Sequence, residues 1–152
     1  MAIEDMRLTS ALQEFVDENN IGKEIDIDDG KDQSFLFFTT DSEIGELVSC
    51  IQVSEDFGYI MIYLIDFKNK IEKKNKNAVL DKINLINLVT KIGSFQLFND
   101  KDSDSDYIRF YLGFPADDVE VNETVIYNLL AECLVAIKTS GNVFRNCSLL
   151  ER

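Results

Sequence analysis

The sequence predicts an α+β fold: elements in the order α-β-β-β-α-β-β-α, an antiparallel sheet, and helices packed mainly on one face, in a single domain over residues 1–152. Three observations carry this. Three stretches place apolar residues at helical spacing, near the start, the middle and the end of the chain. Between the first and second lie three short runs rich in β-formers, and between the second and third lie two more. Within each group hairpin loops join the runs, Ser54 to Gly58 in the first and Asn99 to Asp106 in the second, as in an antiparallel sheet.

The first helix is expected from about Glu4 to Asn19. Leu8, Leu12, Phe15 and Val16 form its stripe, Met6 extends it, and Asn20 and Gly22 follow its end. Asp28-Asp29-Gly30 signals a turn before the first strand, Phe35 to Thr39. Leu47 to Val53 alternates as a half-buried strand does, and Tyr59 to Ile65 is almost wholly apolar. The loop Ser54 to Gly58 joins them as a hairpin. The second helix is expected from Asn77 to Ile92, with Gly93 as its stop. Strands Phe95–Phe98 and Tyr107–Phe114 follow, the second ended by Pro115, which cannot donate to a ladder. The third helix is expected from Asn122, its N-cap, to Lys138, with Gly141 as a stop. Its core face is Val125, Ile126, Leu129, Leu130, Cys133, Leu134 and Ile137.

The second helix has an unusually broad apolar arc. Val79, Ile83, Leu85, Ile86, Val89 and Ile92 span about half its circumference, and Leu80 and Leu88 lie among the polar residues of the other side. One sheet face does not need so much. The surplus is expected to be covered either by another helix of the same chain or by a second copy, with Leu85, Leu88 and Val89 as the candidate protein-binding residues. Asn84 and Asn87 lie in the same helix, where Asn is a poor interior residue because its amide competes for backbone hydrogen bonds. Either these amides bond to neighbouring backbone, at a sheet edge or a loop, or they face solvent.

Composition bounds the function. An apolar share of 45% supports a packed core, and 28 acids against 15 bases give a net charge of −13. The acids dominate residues 1–67, with 16 against 3 bases, whereas residues 68–91 hold 7 bases and 2 acids. Most of such a surface repels nucleic acid. The one basic cluster, Lys68, Lys70, Lys73, Lys74 and Lys76, falls in an Asn-rich connection. It reads as a solvated loop, the alternative being a contact for phosphate or an acidic partner. No stretch approaches the ~20 apolar residues of a membrane-spanning helix, and the acidic N-terminus has no signal-peptide core, so the expected location is cytoplasmic.

The chemistry available is narrow. Without histidine the chain has no Ser-His-Asp or Cys-His nucleophile system and no imidazole ligand. No phosphate loop or dinucleotide fingerprint occurs, and no cofactor or metal is expected. Asp100, Asp102, Asp104 and Asp106 alternate as at the start of an EF-hand loop. However, Ser105 stands where the turn needs Gly, and Tyr111 where a bidentate Glu is needed, so a solvated loop is expected. Cys50 and Cys133 read as small buried hydrophobes and Cys147 as an exposed thiol; the three show no metal spacing and fit a reducing compartment.

Three segments together carry a family resemblance: Ile83-Asn84-Leu85-Ile86-Asn87, Ile92-Gly93-Ser94-Phe95-Gln96-Leu97, and Ile108-Arg109-Phe110-Tyr111. They resemble the centre of YbjN-type proteins, in which a helix with two Asn three apart leads into a Gly-x-Phe-x-Leu-like strand. The element order is also similar to that of class I type III secretion chaperones. The Lys-rich connection and the segment after Gly141 depart from that pattern. The resemblance implies a small acidic cytoplasmic protein without catalysis that binds partner proteins or acts as a regulator, often as a homodimer. The expected function is therefore a non-enzymatic, chaperone-like or regulatory protein-binding module. The alternative is an acidic inhibitor or immunity-type protein that neutralises a basic partner.

Overall fold

A computed structural model describes residues 6–28, 30, 32–42 and 44–145, with backbone only for 140–145. Helix α1 (Arg7–Glu18) leads into strands β1 (Asp26–Asp28), β2 (Gln33–Ser42), β3 (Gly45–Ser54) and β4 (Tyr59–Ile65). A 3-10 turn at Lys73–Asn75 then enters α2 (Lys76–Val89), followed by β5 (Ser94–Asp100), β6 (Ser105–Pro115) and α3 (Glu123–Arg145). The six strands form one antiparallel sheet in the order β1-β2-β3-β4-β6-β5. The sheet is thus an extended meander to which the β5–β6 hairpin is added, with β6 against β4.

Strand periodicity decides which face is covered. Leu36, Leu47, Ile51, Val53, Ile60, Ile62, Leu64, Ile108, Phe110 and Leu112 share one parity and form the core with Phe95 and all three helices. From α1 come Leu8, Leu12 and Phe15, from α2 Val79, Ile83 and Ile86, and from α3 Ile126, Leu130, Cys133 and Ile137. The other parity of each strand contributes nothing to this core among the described residues.

Polar groups fix the helices. The Glu55 carboxylate, from the β3–β4 turn, accepts the Thr9 backbone N–H at 2.6 Å in the first turn of α1. Arg7 donates to the carbonyls of Val119 and Ala116, tying α1 to the β6–α3 connection. Asn122 caps α3 as expected, its Oδ1 accepting from Val125 N at 3.1 Å.

Several boundaries differ from the sequence expectation. The expected start of α1 at Glu4 lies outside the described residues. β1 was not expected: its three residues, Asp-Ile-Asp, are all exposed and two are poor β-formers. β2 extends well beyond Phe35–Thr39 on both sides, because β3 pairs with it along its whole length. α2 stops at Val89, not Ile92, because the backbone turns extended at Thr90 (φ −79°, ψ 121°), whose amide and hydroxyl both satisfy the Ile86 carbonyl, at 3.0 and 2.9 Å. Gly93 therefore does not end the helix. Its φ is +69°, and a Cβ there would lie 2.5 Å from the Phe110 ring and from the Tyr111 carbonyl, so glycine lets the chain cross closely over β6. α3 runs through Gly141, where the cost of an interior glycine, about 1 kcal/mol, is too small to stop it.

Candidate protein-binding surface

The candidate residues on α2 point away from the core. Val79, Ile83 and Ile86 are buried, whereas Leu85 is 66% exposed, Leu88 82% and Val89 75%. Separated by three and four positions, these three share one face of the helix. The expectation that Val89 belongs to the same arc as Ile83 and Ile86 is divided by the fold: the arc is wide enough that one half packs and the other does not. No other helix of the described chain covers Leu85, Leu88 and Val89. Their stripe continues beyond the helix end, where Val89 and Ile92 face Val135 and Ala136 of α3 across a groove of about 280 Å³. Val135, 59% exposed, also borders a second hollow with Leu134, Asp41 and Ser42.

The two asparagines of α2 divide the roles that the sequence left open. Asn87 reaches the outer edge of β5: its Nδ2 donates to the Phe95 carbonyl at 2.9 Å, and its Oδ1 accepts from Phe95 N at 2.8 Å. This paired bond imitates a further strand on an edge that would otherwise be open to another chain. Asn84 is exposed.

The lysine-rich connection faces the aspartate-rich hairpin loop. Ile71 pairs with Asp106 as an isolated bridge, its amide donating to the Asp106 carbonyl at 2.9 Å. Lys73 lies 3.5 Å from Asp104 and Lys76 3.9 Å from Asp106. The run read as a solvated loop is thus exposed but partly neutralised by the second charged loop. Asp100 holds its own turn, accepting from Asp102 N and from the Ser103 hydroxyl. Among the described residues no group of three or more acidic or cysteine side chains is placed to hold a metal ion.

The cysteines behave as apolar groups. Cys50 and Cys133 are buried free thiols, and burial pushes their pKa values up to about 11 and about 12. Cys147 lies outside the described residues.

The sheet face opposite the helices was not singled out by the sequence. It carries Phe37, 52% exposed, in a row with Cys50, Tyr63 and Tyr111 across β2, β3, β4 and β6. The Tyr63 and Tyr111 rings are 5.1 Å apart. Arg109 lies among them, its guanidinium carbon 4.7 Å from the centre of the Tyr63 ring and 5.0 Å from that of Phe98, with Nε donating to Gln96 at 2.8 Å. Phe67 closes the far end edge-on to Tyr107 and Phe98. Period-two alternation was visible in Leu47–Val53, but Phe35–Phe38 and Tyr59–Ile65 are apolar at both parities, so which parity the helices leave bare is decided by packing.

These features define a class: an α+β protein whose single antiparallel sheet carries the helices on one side. No protein-family model matches the chain, and no curated protein does. Among solved structures it is similar to the crystal structure of YbjN, a proposed transcription regulator from E. coli, with a TM-score of 0.56 over 94% of this chain and 95% of that one. Sequence identity is 9%, so the likeness is one of fold. No helix among the described residues is long and apolar enough to cross a membrane.

Proposed function

We propose that this chain is a non-enzymatic protein-binding module, chaperone-like or regulatory in role, working in the cytoplasm through protein–protein contacts. The observation that carries this reading is the exposed apolar stripe Leu85, Leu88 and Val89, continued by Ile92 and Val135. Leucine and valine in such an arrangement lose apolar exposure only by association, and a second copy presenting the same stripe is the simplest cover. The YbjN-like fold supports the regulatory form of the reading.

Sedimentation velocity tests it. The wild type is expected to be a dimer at micromolar concentration, and Leu88→Asp a folded monomer with unchanged circular dichroism. A wild type that stays monomeric at high micromolar concentration refutes the self-association. The net charge of −13 favours basic partner proteins over nucleic acid, and with it association rates that fall steeply with salt while dissociation changes little. The same charge would serve an acidic inhibitor of one basic protein; affinity capture that recovers a single basic species would favour that form. Tight duplex DNA binding at physiological salt would overturn both.

A further inference from the structure

The open face of the sheet has a chemistry of its own, separate from the α2 stripe. Its centre is aromatic: Phe37, Tyr63 and Tyr111 lie in one cross-strand row, and Phe98 flanks Arg109. Its β1–β3 side is acidic. Asp26 and Asp28 pair across from Phe35 and Gln33, and Asp41 from Glu46; directly paired residues share a face, so these four carboxylates lie on the same side of the sheet as Phe37. Of them, Glu46 is 3.9 Å from Lys68.

Arg109 shows what this surface accepts. Among the described residues no carboxylate lies in ion-pair range of it, yet it is held between two ring faces with a single hydrogen bond to Gln96. The π-faces of Tyr63 and Phe98 take the place of an anion. Phe37 is half exposed on the same face, and the nearest of these carboxylates in register is Asp26, which pairs with Phe35 two residues before it on β2.

We propose that this face docks a basic segment of a partner protein in which pairs of arginine or lysine alternate with pairs of apolar residues, so that each side of the extended segment carries both kinds. The cations would lie over Phe37 and against Asp26, Asp28 and Asp41, and the apolar side chains against Tyr63 and Tyr111. The inference rests on the protein-binding reading and supplies the chemistry of the partner. An acidic partner would meet four carboxylates and a net charge of −13, and single-stranded RNA, which also stacks on aromatic sheets, would meet the same repulsion.

The probe is a twelve-residue peptide of alternating Arg-Arg and Leu-Leu pairs, titrated into the full chain by heteronuclear NMR and calorimetry. Amide shifts are expected on β2, β4 and β6. Phe37→Ser should weaken binding about fivefold, as loss of a cation–π contact with its apolar area predicts. The pair Asp26→Asn with Asp41→Asn should weaken it about tenfold and flatten its salt dependence. Both changes are at exposed positions, which keeps the fold intact. The control pair Asp118→Asn with Glu120→Asn removes the same charge from the β6–α3 connection, held on the helix side by Arg7, and should change affinity less than twofold. Equal losses in the two pairs would mean binding by net charge alone and would overturn the proposal. So would tighter binding of the Asp-Leu counterpart of the peptide, or of a twelve-nucleotide oligouridine. Leu88→Asp separates this from the α2 contact. If that monomer still binds the peptide, the sheet-face proposal stands by itself. If the wild type dimerises but ignores the peptide, the sheet-face proposal falls alone.

Discussion

Replacing Asn87 by Ala should cost about 1.5 kcal/mol, and the figure follows from the geometry. The substitution removes two hydrogen bonds to the Phe95 backbone, at 2.8 and 2.9 Å, each with a net contribution of about 1 kcal/mol. Alanine, the better helix former, returns about 0.5 kcal/mol. Asn84 provides the internal control. It lies three residues away on the same helix and is exposed, so Asn84→Ala should gain about 0.5 kcal/mol. Identical substitutions should therefore differ by about 2 kcal/mol in urea unfolding. For a chain of this length, Asn87→Ala alone should lower Tm by roughly 3–6 °C. Amide exchange at Phe95 should quicken more than that at Phe110, its partner on the other side. If the two variants agree within about 0.3 kcal/mol, the paired bond does not hold α2 to the sheet edge, and the account of that edge is wrong.

Ile83→Ala should cost about 2–5 kcal/mol in the same titration, since Ile83 is buried beneath α2; a loss under about 1 kcal/mol would mean that the helix is rotated. A side-chain hydrogen bond with Asp56, and after it repulsion by that carboxylate, raises the Asp32 carboxyl above its ordinary range. A raised folded-state value binds the proton more tightly than the unfolded chain does, so this pair favours folding at low pH and opposes it once pH rises past the Asp32 value. Asp32→Asn should raise Tm at pH 7, with the gain fading toward about pH 4. Asn also suits the positive φ of this position, and a pH-independent difference would refute the account. In a Cys147→Ser background, Ellman's reagent at pH 8 should find no fast thiol until guanidinium is added, and then two; prompt reaction would show Cys50 or Cys133 to be accessible.

The sequence carried the helices and inner strands because their apolar spacing is strong: Leu8, Leu12 and Phe15 on α1 and the run from Tyr59 to Ile65 allow few alternatives. β1 was illegible because its pairing comes from register with β2 and not from its own residues. Gly93 illustrates a subtler limit. Its positive φ was foreseeable as a type of conformation, but its use depends on a ring from β6, fifteen or more residues on in the chain, and spacing does not encode that approach. The exposure of Leu85, Leu88 and Val89 on α2 was legible as surplus apolar area. The aromatic sheet face was not, since its members come from five strands and become neighbours only through the insertion of β6 beside β4.

That insertion has a consequence during synthesis. β4, Tyr-Ile-Met-Ile-Tyr-Leu-Ile, has no charge, no proline and no glycine, the composition of a segment that stacks with copies of itself. Its inner edge is closed at once by β3, but its outer edge waits for β6, which leaves the ribosome only after α2 and β5. Throughout that interval the uncapped strand is followed immediately by Lys68, Lys70, Lys73 and Lys74. Even with Asp66 and Glu72 among them, these lysines leave a net positive segment beside a sticky strand, and such charge holds neighbouring nascent chains apart as gatekeeper residues do. The lysine-rich connection thus has work to do before the fold is complete, and neutralising those four lysines should lower the soluble yield of newly made protein while leaving the stability of what does fold nearly unchanged.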